Sequence, residues 1–250
     1  MTIEPLFHPY EIDDDSRRRM DRDGHLALPG LLAEPARARL TEALAGIQTL
    51  AATHGSGPNH YSAEHSPYLA SLIAHPDLMT LARRVLGPEI RFDHCVALSR
   101  PGGNAGSHWH SHDYGETRPE LGFVRIFFYV NGFEVDDGAL GVVPGSHLYR
   151  DSTLSASSDE ALRTGWMAGK RHPLTGKPFE IDYLSAPPGT VILMWTHAAH
   201  AVRPRKPESD TRWTVVYAYR NPGLPSRARW ITEEFERNPS AGCEGLMSVY

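Results

Sequence analysis

The chain has 250 residues, 40% of them hydrophobic and 22% charged, a balance that suits a water-soluble globular protein with one sizeable core. Its net charge of −5 and the lack of any basic run argue against nucleic acid or an anionic membrane surface as a partner. The longest apolar stretches, Phe123–Val130 and Thr190–Trp195, are too short to cross a bilayer, and Met1–Tyr10 has no basic-then-apolar leader pattern. Two cysteines, Cys95 and Cys243, suit packed thiols in a reducing compartment. The expectation is a cytoplasmic protein, and 14 histidines are the compositional feature that hints at chemistry.

The first twenty residues hold Asp13-Asp14-Asp15 and Arg17-Arg18-Arg19, a charged lead-in that is either helical or mobile. Asp23-Gly24 is a turn signal that opens a short strand, closed by Pro29-Gly30. Pro35 suits a first helical turn, and Leu40, Ala43, Leu44 and Ile47 recur at helical spacing, which predicts a helix over Pro35–Leu50. Thr53–Ser66, with its Gly, Ser and His, reads as a loop. Leu78, Leu81, Ala82 and Val85 predict a second amphipathic helix, stopped by Gly87-Pro88. Residues 1–89 thus form a helical N-terminal part.

From Ile90 the pattern changes to short β runs, with strands expected near Arg91–Ser99, Gly122–Asn131, Ala139–Val143, Thr190–Trp195 and Arg212–Tyr219. Phe123–Val130 is apolar on both faces apart from Arg125 and Tyr129, which predicts a central strand. Turn signals at Asp136-Asp137-Gly138, Pro144-Gly145, Pro187-Pro188-Gly189 and Pro222-Gly223 separate these runs. The expected fold is mainly β, a sandwich or jelly roll over residues 90–223, in one domain that ends in a tail over 224–250. The polar stretch Ser152–Phe179, with a short helix near Asp159–Thr164, reads as an insertion (150–180) over the mouth of the barrel.

Ser107 to Glu116 carries the chemistry. His108, His110 and His112 alternate, and Asp113 and Glu116 follow. Residues two apart in an extended segment point to one side, so alternating imidazoles can converge on a metal such as Fe(II) or Zn(II). A distant ligand is expected at the end of the Thr190–Trp195 strand, where His197 and His200 both stand. Arg212 sits in an apolar strand, where a buried guanidinium calls for an anion and its planar fork suits a carboxylate; Thr214 faces the same side.

Four further motifs are Met20-Asp21-Arg22-Asp23-Gly24-His25-Leu26-Ala27-Leu28-Pro29-Gly30-Leu31-Leu32, His75-Pro76 through Leu86-Gly87, Asp137-Gly138-Ala139-Leu140-Gly141-Val142-Val143-Pro144-Gly145-Ser146-His147, and Pro188-Gly189-Thr190 through His200. Together with the histidine stretch they resemble the phytanoyl-CoA dioxygenase family. These are non-haem Fe(II)- and 2-oxoglutarate-dependent oxygenases built on a double-stranded β-helix, a cupin-like barrel. The resemblance implies that Fe(II) and 2-oxoglutarate are the cofactors and that dioxygen and a small-molecule substrate are the partners. It makes His110 the first iron ligand, the histidine of a His-x-Asp pair, and His200 the distal ligand. Arg212, with Thr214, would grip the far carboxylate of 2-oxoglutarate.

The chain departs from that pattern, because it reads His110-Ser111-His112 and the acid Asp113 comes one residue late. Three readings stand. His112 takes the carboxylate's place, which keeps the two-residue spacing and is the preferred reading. A bulge admits Asp113. Or His110, His112, Glu116 and His200 form a four-ligand, cupin-like site that needs neither keto acid nor Arg212. A barrel that binds metal or ligand without turnover is a further rival. His108, Trp109, Glu116 and Trp195 are expected to support the site, and Arg125 and Tyr129 to face substrate or keto acid. His147 is expected to shape the fold.

Overall fold

Capping chemistry sets the first element of the computed structural model, which describes residues 4–112, 116–224, 226 and 229–248. Asp13 accepts the Ser16 amide at 2.7 Å and opens helix α1 (Asp14–Asp23), so the charged lead-in is helical. Gly24 closes α1 at φ 91°, a left-handed conformation that glycine adopts at little cost. Strand β1 (His25–Leu28) follows. Helix α2 (Glu34–His54) has Pro35 in its first turn and buries Ala36, Leu40, Leu44 and Ile47.

The stretch expected to be a loop, Thr53–Ser66, is largely helical. It contains the end of α2 and two single turns, α3 (Gly57–His60) and α4 (Ser62–His65). Pro58 signals a turn in the sequence, yet here it stands in the first helical turn of α3 and is buried. Helices α5 (Pro67–Leu72) and α6 (Pro76–Leu86) complete this part. No helix of the described chain is long and apolar enough to cross a membrane.

The remaining elements in chain order are β2 (Arg91–Ala97), β3 (Ser107–His110), β4 (Phe123–Tyr129), β5 (Leu140–Val142), β6 (Ser155–Ala156), α7 (Asp159–Thr164), β7 (Asp182–Tyr183), β8 (Thr190–Trp195), β9 (His200–Val202), β10 (Thr214–Arg220), α8 (Glu233–Arg237) and α9 (Glu244–Met247). They form two antiparallel five-stranded sheets, ordered β1-β8-β4-β10-β2 and β6-β3-β9-β5-β7. This is the double-stranded β-helix that the resemblance implied, with the N-terminal helices laid on the outer face of the larger sheet. Regular pairing in β10 starts at Thr214, while Arg212 forms an isolated bridge with Arg100.

Strand β4 shows why the sequence reads as it does. Val124, Ile126 and Phe128 face the helices and join Leu40, Leu44, Leu78 and Leu81 in one core. Phe127 and Tyr129 face the smaller sheet and pack with Leu140, Val142 and Val202. Burial on both faces removes the polar alternation of a solvated strand. Each large side chain buried here contributes roughly 1.5–3 kcal/mol. Cys95 and Cys243 are free and buried, and burial pushes the Cys95 thiol up to about 12.

Residues 150–180 do not cover the barrel mouth. Leu154, Leu162, Met167 and Phe179 pack with Trp109, Val143, Ala199 and Ala201 on the outer face of the smaller sheet. The Trp109 indole N–H donates to Asp159 at 2.9 Å, and the Tyr183 hydroxyl donates to the same carboxylate oxygen at 2.6 Å. The polar composition of this stretch hides a sparse apolar set that needed a face to bury.

The turn motif ending in His147 is tied to α1, since His147 Nε2 donates to the Asp21 carbonyl at 2.9 Å. A Cβ on Gly24 would lie 2.5 Å from His147 Nδ1. Gly24→Ala therefore combines left-handed strain with a clash and should cost about 2 kcal/mol in a urea titration. Burial pushes the His147 imidazole from 6.5 down to about 4, with His172 and His25 acting in the same direction. Its contribution is present above pH 6.5 and is lost as pH falls toward 4. Wild type should lose roughly 3 kcal/mol more than His147→Gln over that interval, by denaturation at each pH.

Candidate metal centre

His110 on β3 and His200 on β9 are directly opposed in the antiparallel ladder. Opposed residues project side by side from one face of a sheet, and here the two ring centroids are 4.3 Å apart. His112 lies two residues past His110, so it turns to the same side. Its amide donates to the Thr196 carbonyl at 3.1 Å, which pins the segment just after β3 ends. Its ring lies 4.8 Å from that of His110 and 5.1 Å from that of His200. One ligand nitrogen from each of the three falls within 4.8 Å of the others. Small side-chain rotations bring such a set to the ~2.1 Å at which a metal binds imidazole.

The tautomers suit a cation. His110 Nδ1 lies 2.8 Å from the His108 carbonyl and His200 Nδ1 lies 2.9 Å from the Ala198 carbonyl. A carbonyl only accepts, so each Nδ1 carries the proton and each Nε2 keeps a free lone pair. Burial, with the Arg125 charge and the neighbouring imidazoles, holds His112 well below the usual histidine range. Burial and the neighbouring His110 do the same for His200, and burial lowers His110. Neutral imidazoles are the form that binds metal.

The other sequence candidates lie elsewhere. Asp113 is outside the described residues. Glu116 is buried, but its carboxylate accepts the Arg118 amide at 3.0 Å and stands against Gly223, apart from the histidine group. The four-ligand arrangement with Glu116 is therefore not formed. His197 and Trp195 line a separate, larger cleft of about 890 Å³. His108 is exposed, and Trp109 points to the outer face of its sheet.

The three histidines line a cavity of about 220 Å³ that also contains Arg125, Tyr129, Arg212 and Thr214. Arg212 is 2% exposed, and one Nη donates to the Gly138 carbonyl. Gly138 leaves room for it, since a Cβ there would lie 2.8 Å from that nitrogen. Arg212 Nε and Thr214 Oγ1 are buried and have no hydrogen-bond partner among the described residues. Burial pushes the Arg212 guanidinium down to about 10, which leaves it cationic at neutral pH. Burial also raises the Tyr129 phenol, so it stays protonated.

Arg100, His60 and Trp230 line the same cavity and were missed in the sequence. Arg100 sits just past β2, and His60 and Trp230 come from stretches read as a loop and a tail. Nothing in their local spacing marks them.

The phytanoyl-CoA dioxygenase (PhyH) family model matches residues 20–209. The chain belongs to that family. Among relatives of this phytanoyl-CoA dioxygenase family member, a protein described as dioxygenase LolE1 of Epichloe uncinata is 29% identical over 155 residues, 61% of this chain and 54% of the relative. The chain thus spans about half the length of that curated relative. The solved structure of SnoK, a non-haem α-ketoglutarate-dependent carbocyclase from nogalamycin biosynthesis, matches with a TM-score of 0.66 at 18% identity over 90% of each chain. EctD from S. alaskensis, solved with 2-oxoglutarate and 5-hydroxyectoine, matches with a TM-score of 0.66 at 22% identity over 88% of this chain and 82% of its own. At these identities the two structures share the fold.

Replacing His110, His112 or His200 by Ala should each lower Fe(II) or Zn(II) affinity at least tenfold, read by calorimetry or by metal content after gel filtration. Glu116→Gln should leave the metal content unchanged.

Proposed function

We propose that the chain is a non-haem Fe(II)- and 2-oxoglutarate-dependent dioxygenase that hydroxylates a small molecule. His110, His112 and His200 hold the iron in this reading. Arg212 and Thr214 hold the far carboxylate of the keto acid. One observation carries it: two buried donors, Arg212 Nε and Thr214 Oγ1, stand without an acceptor in the cavity that the three histidines line. Buried donors of this kind are costly unless an acceptor arrives, and a carboxylate supplies one matched to a guanidinium. Family membership supports the same chemistry.

The bound iron and keto acid supply the oxidising power, coupling decarboxylation of the acid to oxidation of the substrate by dioxygen. The protein supplies position and exclusion of water. Arg212 lies over the rings of Tyr129 and Phe133 at 5.7 and 5.2 Å, which hold its fork in place. Val96, Leu98, Phe127, Leu140, Val202 and Val216 line the cavity with apolar surface that keeps bulk water from the reacting atoms. Three neutral imidazoles give the iron one negative charge fewer than a site with a carboxylate ligand. The keto acid dianion is then the main source of negative charge at the metal, and its binding should depend strongly on Arg212.

Anaerobic addition of Fe(II) and then 2-oxoglutarate should produce the weak visible charge-transfer band of an iron-bound keto acid. Arg212→Ala should weaken keto-acid binding at least a hundredfold, and Arg212→Lys should recover only part of it, because an ammonium lacks the fork. Metal binding without the band would favour a metal enzyme that uses no keto acid, or a barrel without turnover.

A further inference from the structure

Arg125 is a second buried guanidinium in the cavity, on the inner face of β4 and 7% exposed. Its Nε donates to the Thr196 hydroxyl at 3.2 Å, and the Thr196 carbonyl accepts the His112 amide at 3.1 Å. One residue therefore fixes the guanidinium beside the position at which this chain has exchanged a carboxylate for an imidazole. Its other neighbour of note is the Phe123 ring, at 5.9 Å. Among the described residues no carboxylate pairs with it. Asp93, the acid whose charge reaches it, is engaged by His94 at 2.8 Å and by the Ser226 hydroxyl at 2.8 Å.

The keto acid is poorly placed to be its partner. Arg125 is opposite Ala218 in the β4–β10 ladder, whereas Thr214 is opposite Tyr129 at the other end. Arg212 lies six residues along the chain from Ala218, so the two arginines are anchored about 20 Å apart. A five-carbon diacid that runs from the histidine group to Arg212 leads away from Arg125. The charge balance leaves room for another anion. A divalent metal on neutral imidazoles and the Arg212 guanidinium already exceed the charge of a dianion, and Arg125 adds to the excess. No described carboxylate lines the cavity.

In the same cavity the half-buried His60 and Trp230 stack with ring centroids 4.5 Å apart, and Val96, Leu98 and Phe127 add apolar lining. We infer that Arg125 anchors a carboxylate carried by the substrate, so that the enzyme acts on an organic acid whose anion sits beside His112 and whose apolar body lies toward His60 and Trp230. This deepens, and rests on, the metal-centre reading above. Arg125 is then a specificity residue, with a role separate from that of Arg212.

The test is calorimetric, on zinc-loaded protein that binds without turning over. Formate, acetate, benzoate and chloride are titrated with and without saturating 2-oxoglutarate. A carboxylate should bind once per chain in the presence of the keto acid, with benzoate the tightest. Arg125→Gln should weaken it at least about tenfold and leave zinc content and 2-oxoglutarate affinity within about twofold of wild type. Arg125→Lys should recover part of the loss, which separates charge from folding.

The inference is overturned if no carboxylate binds saturably, if chloride alone binds, or if Arg125→Gln weakens 2-oxoglutarate and spares the carboxylates. Zinc and keto acid bound with no second carboxylate would sink this inference alone. Zinc and carboxylate bound with no keto acid would sink the functional reading and leave the Arg125 site standing.

Discussion

The opposition of His110 and His200 across the β3–β9 ladder is the constraint on which the site depends. Backbone hydrogen bonds between two short strands hold these imidazoles together before any metal arrives. His112 joins them because its amide is tied to Thr196, at the end of β8 in the other sheet. The centre therefore forms only when both sheets are in register, and the hydrophobic packing of Phe127, Tyr129, Leu140 and Val202 between the sheets sets that register. A one-residue slip would turn the imidazoles outward and put Trp109 inside.

Around this frame the cavity is unusually cationic. Arg100, Arg125 and Arg212 all reach it, and the described lining has no acid to offset them. Placing a guanidinium in a low-dielectric interior is tolerated where its counter-charge arrives with a ligand. A neutral His112 among the three clustered histidines adds no negative charge to offset these arginines. A protein with this lining selects ligands by sign before it selects them by shape.

Much of this was legible in the sequence, for physical reasons. The strand repeat of two gave the sidedness of His110 and His112, and a cation in an apolar strand marked Arg212. The two-sided apolar run of β4 announced a central strand. What could not be read depended on neighbours remote in the chain. Pro58 carries the same signal in a turn and in a helical first turn, so α3 was hidden. The apolar residues of 150–180 are too sparse to show which face they bury. His60 and Trp230 acquire their place only when the helical N-terminal part and the C-terminal segment meet over one cavity. Glu116 looked like a ligand by spacing, yet the pull of the Arg118 backbone and the open space at Gly223 draw its carboxylate away.

The stacked pair of His60 and Trp230 has a consequence for how the proposed activity could diversify. His60 and Trp230 belong to segments outside the ten-stranded frame, and neither is part of the three-histidine group or of the Arg212–Thr214 pair. Exchanges there would reshape the cavity lining while the three histidines and Arg212 stay in place. Selection can thus retune what is admitted without disturbing the residues to which we assign the metal and the keto acid.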